Sequence, residues 1–98
     1  MKEQMMERYM NAVAELAKKF DNYTDSNELA DDYRRVSDEV ASRTEMLVRD
    51  LGLTDVCEYT NQSLNILREA FLKAAEKTDR LGYENKTNEA IEFISNLL

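Results

Sequence analysis

Residues 25–55 read DSNELADDYRRVSDEVASRTEMLVRDLGLTD, and this stretch decides the fold. Its apolar positions Leu29, Tyr33, Val36, Val40, Leu47 and Leu51, with Thr44 among them, recur every three or four residues. That is the period of an α-helix with one buried face. Asp25 stands just before the run and Glu28 three residues later, the pattern of an N-cap and its capping-box partner. At the far end, Leu51-Gly52-Leu53 supplies a Schellman stop: the glycine takes the left-handed conformation and the following leucine packs back on the helix. The stretch predicts a helix over roughly residues 26–51.

The same period continues on both sides. Upstream, Met6, Tyr9, Val13, Leu16 and Phe20 form one stripe, with Met10 and Ala17 widening it. They predict a helix over roughly residues 2–20, followed by the polar connection Asp21-Asn22-Tyr23-Thr24-Asp25-Ser26. Downstream, Thr54 is the next cap candidate and Asp55 suits the positive end of the helix dipole. Cys57, Thr60, Leu64, Leu67, Phe71, Ala74, Thr78 and Leu81 keep the register over roughly residues 55–81, the longest predicted helix, with Tyr59, Ile66 and Ala70 as a second apolar edge. Leu81-Gly82-Tyr83 repeats the stop. Thr87, Ala90, Ile91, Ile94, Leu97 and Leu98 predict a last helix over roughly residues 86–98. No alternating run competes for β-structure. Short connections favour antiparallel neighbours. The expectation is a single all-α domain over residues 1–98, a four-helix bundle or a closely related compact helical array.

Composition narrows the chemistry. The 98 residues are 43% hydrophobic and 34% charged, enough apolar material for a core and too much for a disordered acidic tail. The absence of histidine excludes Ser-His-Asp and Cys-His catalysis and histidine metal sites. Two glycines cannot build a glycine-rich phosphate loop. Cys57, the only cysteine, has no partner for an intramolecular disulfide, and its place on the third stripe predicts a buried structural thiol. The charged N-terminus has no apolar core of a signal peptide, and no segment reads as membrane-spanning, so a cytoplasmic protein is expected.

The formal net charge is −7. It resides between residues 21 and 60, where eleven acidic groups face only Arg34, Arg35, Arg43 and Arg49. On a helical wheel Glu28, Asp32 and Glu39 fall within about 40° of one another, with Asp31 and Asp38 beside them and the apolar stripe elsewhere. Such a face is either solvated surface or a docking surface for a basic partner. Charge changes on it should cost the fold little. The basic residues form no tract, so direct nucleic-acid binding is not expected.

Two further surfaces invite the same question. Met5, Met6 and Met10 crowd the first helix, and Leu97 and Leu98 end the chain given; each set either fills the core or forms an apolar interface with a partner or a second copy. The spacing of Glu28, Asp31 and Asp32 also permits a helix-borne Mg²⁺ site. In its Glu28-x-x-Asp31 element the chain resembles small all-α nucleotide pyrophosphatases. It departs from them in lacking the Glu-Glu-x-x-Glu cluster. The leading expectation is a non-enzymatic module without metal or cofactor that binds another protein, as a regulator, inhibitor or antidote of the kind phages and mobile elements encode. The rivals are an Mg²⁺-dependent hydrolase and a structural homodimer.

Overall fold

The computed structural model describes residues 1–78 and 84–97, with side chains for 1–78 and 90–97. The described chain is all-α: α1 Lys2–Ala17, a 3₁₀ turn Lys18–Asn22, α2 Ser26–Asp50, α3 Val56–Lys77 and α4 Glu84–Leu97. The Cα extents are 46 × 24 × 15 Å. Helix α2, with 25 residues, spans about 37 Å at 1.5 Å per residue.

The ends of α2 are set as the sequence dictates. The Asp25 carboxylate accepts hydrogen bonds from the backbone N–H of Asn27 at 2.8 Å and of Glu28 at 3.2 Å. At the other end Gly52 has φ +71°. Its N–H donates to the Arg49 carbonyl and that of Leu53 to the Val48 carbonyl, both at 3.0 Å. This is the Schellman pairing, and it satisfies carbonyls that the helix cannot. A side chain at position 52 would meet backbone strain at that φ.

Helix α3 packs against α2, α1 and the 3₁₀ turn, while α2 packs against α3 and α4. The core lies where these meet, built from Val13, Phe20, Leu29, Tyr33, Leu67 and Phe71 among others. Tyr33 stacks on Phe71 with ring centroids 4.1 Å apart and an 8° interplanar angle, and Phe20 meets the edge of Tyr33 at 5.9 Å and 89°. At the other half of the core, Thr44 of α2 lies 3.2 Å from Ser63 of α3 and 2.9 Å from the Tyr9 hydroxyl of α1.

Several expectations shift. Helix α1 gives way to the 3₁₀ turn after Ala17, and the tighter winding carries Phe20 into the core. The buried edge of α2 ends in Val48 rather than Leu47, and Ala30 and Ser37 join it. The true stripe is centred slightly to one side of the one drawn from the largest residues. Asp55, not Thr54, caps α3, and it does so without a side-chain hydrogen bond. Because α3 ends at Lys77, α2 is the longest helix among the described residues. The stop at Leu81-Gly82-Tyr83, the Thr87 side chain and Leu98 lie outside the described residues. Cys57 is exposed, which corrects the buried thiol: α3's first turn borders an open furrow with Ala41, Thr60 and Leu97.

Candidate functional site

The acidic face of α2 forms, but arginines run through it. Glu28, Asp31, Asp38 and Glu39 are exposed, whereas the Asp32 side chain retains only 15% of its exposure. Arg34 pairs with Asp31 at 3.4 Å. Arg35 pairs with Asp32 and reaches Glu39 at 3.8 Å, and Glu39 in turn holds Arg43 at 2.8 Å. Residues 32, 35, 39 and 43 thus make a ladder of alternating sign along one helix face, the i,i+3 and i,i+4 pairing that helix geometry favours. The Asp32 carboxylate also accepts from the Tyr23 hydroxyl, which raises the tyrosine pKa, and the same carboxylate raises that of Arg35. The ladder was legible in the spacing of Arg35 and Arg43, which fall on the same wheel sector as the acids.

What the pairing leaves over is more informative than the face itself. The four arginines of the segment all bind carboxylates, Arg49 through Glu45 at 2.6 Å. Asp21 pairs with Lys77 at 3.2 Å across to α3. Of the eleven acidic residues between 21 and 60, five serve neither an ion pair nor, like Asp25, the cap of α2: Glu28, Asp38, Asp50, Asp55 and Glu58 are exposed with no cationic side chain within ion-pair distance among the described residues. Three of these five flank the Gly52 turn. No group of three His, Cys, Asp or Glu side chains that could hold a metal ion is found among the described residues. Glu28, Asp31 and Asp32 do not form one, since Asp31 and Asp32 are each turned to an arginine.

The methionine set separates. Met6 is 1% exposed and fills the core, the first of its two readings, so it leaves the candidate interface; it shares its helix face with Val13 and Ala17. Met10 is half-buried. Met5 is 51% exposed and Met46 of α2 is 64% exposed. Leu97 is exposed at the end of α4, as is Phe93 one turn earlier.

A feature that residue spacing within a helix did not reveal lies between α1 and α2. Both helices pack on α3, and they do not pack closely on each other. The seam between them is a furrow of about 380 Å³. Its floor is Val13, Val36 and Val40, and Leu16 and Tyr9 stand at its sides. The Tyr9 hydroxyl spans the seam and donates to the Val40 carbonyl at 3.2 Å. Burial raises the Tyr9 pKa, against the lowering effects of the Thr44 hydrogen bond and the nearby Arg43. Lys19, Arg35 and Arg43 stand at the rim, and Glu39 is the one carboxylate there among the described residues. In a chain of net charge −7, this rim is positive.

No helix among the described residues is long and apolar enough to cross a membrane. Comparison with family models, with curated proteins and with solved structures finds no match.

Proposed function

We propose that the protein is a non-enzymatic interaction module that acts by binding another protein, as a regulator, inhibitor or antidote. The observation that carries this reading is the surplus of carboxylates over the needs of the fold. Glu28, Asp38, Asp50, Asp55 and Glu58 stay exposed and unpaired among the described residues after every arginine of the segment is engaged. Unpaired exposed charge does little for stability but acts at a distance, speeding encounter with a partner surface of opposite sign. The acidic surface of α2, from Glu28, Asp31 and Asp32 to Asp38 and Glu39, continues toward the Gly52 turn and suits a partner with a basic patch.

The frame for this surface is a bundle with antiparallel neighbours. Thr44 lies opposite Ser63 and Tyr33 opposite Phe71, so α2 and α3 run in opposite senses where they touch. That packing supports a rigid platform, and rigid platforms lose little entropy on binding.

The test begins with capture of the partner from source cells. Its association rate is then measured against salt, for the wild type and for Glu28→Lys with Asp38→Lys. A wild-type rate that falls steeply with salt, and a slower, flatter rate for the double variant, are expected. Equal rates with equal salt slopes would reduce the acidic surface to a solubilising one. Catalytic turnover stimulated by Mg²⁺ would replace the reading by a hydrolase.

A further inference from the structure

The α1–α2 furrow is a second surface of opposite character, and the molecule itself shows how such a furrow is filled. Along its other flank α2 is covered by α4, which buries Ala90 and Ile94, one helical turn apart. The α1–α2 seam has the same ingredients for receiving a helix: a valine floor, flanking Leu16 and Tyr9, and charged rims on both sides. The three valines are buried, at 3%, 6% and 4% exposure for Val13, Val36 and Val40, and the partly buried Tyr9 and Leu16 offer the more open apolar surface. Ala12, at the α1 rim, is small and exposed, so nothing from α1 closes the seam there.

The rim selects the sign of the occupant. Lys19 is exposed and has no carboxylate within ion-pair distance among the described residues. Arg35 and Arg43 share Glu39 on the opposite wall. A carboxylate entering the seam would find Lys19 free, and Arg43 with only one carboxylate to satisfy five guanidinium N–H donors. An incoming lysine would find only a glutamate already held by two arginines.

We propose that the α1–α2 furrow docks an amphipathic helix of a partner protein, with apolar side chains one turn apart on the valine floor and acidic residues along its edges toward Lys19 and Arg43. This rests on the protein-binding reading above and assigns it a second contact, independent of the acidic surface. The volume accommodates a few apolar side chains, in keeping with helix-in-groove recognition.

The test is selection from a displayed library of amphipathic helical peptides. Their apolar stripe is fixed, and the flanking positions vary between Glu and Lys. Acid-flanked peptides should be enriched. Their binding should weaken about tenfold or more in Lys19→Glu with Arg43→Glu, and in Ala12→Arg, which obstructs the furrow from an exposed position. Ala12→Arg should keep the parental melting curve, Lys19→Glu with Arg43→Glu should lower it only slightly through loss of the Arg43–Glu39 pair, and chemical-shift changes on peptide binding should gather at the Val13, Val36 and Val40 methyl groups. No enrichment, enrichment of lysine-flanked peptides, or binding unaffected by Ala12→Arg would overturn the proposal. So would a dimer, seen by sedimentation, that Ala12→Arg dissociates, because the furrow would then hold a second copy of this chain. A captured partner that tolerates Ala12→Arg yet loses its rate with Glu28→Lys and Asp38→Lys would overturn the furrow alone and leave the protein-binding reading standing.

Discussion

The two halves of the core handle their hydroxyl groups in opposite ways. Around Thr44, three hydroxyls from three helices each find a partner: Thr44 donates to the Val40 carbonyl at 2.7 Å, Ser63 to that of Thr60 at 2.9 Å, and Tyr9 has the Thr44 hydroxyl and the Val40 carbonyl both within reach of its single proton. Around Tyr33, the aromatic stack is tight, yet the Tyr33 hydroxyl and the Ser37 hydroxyl one turn away have no hydrogen-bond partner among the described residues. A buried polar atom is cheap when paired and costs about 1–3 kcal/mol when not. One end of the core is therefore specified by polar pairing and the other by packing, with an unmet polar cost inside it.

The largest effect that would break this contrast is loss of the stack. Phe71→Ala removes a fully buried ring packed on Tyr33 and should cost about 3–5 kcal/mol, read from urea unfolding. A cost below about 1 kcal/mol would mean that packing does not govern that end. At the polar end, Thr44→Val keeps the volume and deletes the central hydroxyl. It should cost about 1–2 kcal/mol, because Tyr9 and Ser63 each retain one carbonyl partner.

The sign should reverse at Tyr33. Tyr33→Phe removes an unpartnered hydroxyl while keeping the stack, so stability should rise by up to about 1 kcal/mol. Burial also pushes the Tyr33 pKa up to about 12 from 10.0, with Arg68 acting the other way. Between those values the unfolded chain gives up the phenolic proton and the folded chain keeps it. The folded state thus binds more protons, and stability falls as pH rises from about 10 to about 12, with the full contribution present below pH 10. Thermal melts across that range should show a shallower alkaline decline in Tyr33→Phe than in the wild type.

The smallest effects concern the surface. Glu28→Lys with Asp38→Lys touches only unpaired carboxylates and should stay within about 0.5 kcal/mol. Asp32→Lys with Glu39→Lys dismantles the ladder and leaves Arg35 between two like charges, so it should cost about 1 kcal/mol more, the difference shrinking in high salt. Equal costs for the two pairs would show that the ladder contributes nothing measurable.

These contrasts also mark how far the sequence could be read. Asp25 and Gly52 announce themselves because caps and stops are local chemistry, decided within a few residues. Helix existence follows from periodicity for the same reason. Whether Met5 or Met6 enters the core depends on a helix rotation of less than a third of a turn, and side-chain size alone misplaced Leu47 relative to Val48 in the same way. The meeting of Thr44 with Ser63 and Tyr9 depends on the register between helices, and no spacing within one helix encodes it. The furrow is harder still. It exists because α1 and α2 both prefer α3, and it is a property of three helices at once. The arginine ladder, by contrast, was written plainly at positions 32, 35, 39 and 43, where net charge hid it.

The Gly52 turn has a consequence for the order in which the molecule assembles. It joins α2 and α3, which pack directly on each other, through a few residues, so closing that hairpin costs little loop entropy. Contacts between near neighbours in sequence form early, and topologies rich in them fold fast. The hairpin is thus the natural nucleus, with α1 and α4 docking afterwards on the surface it creates.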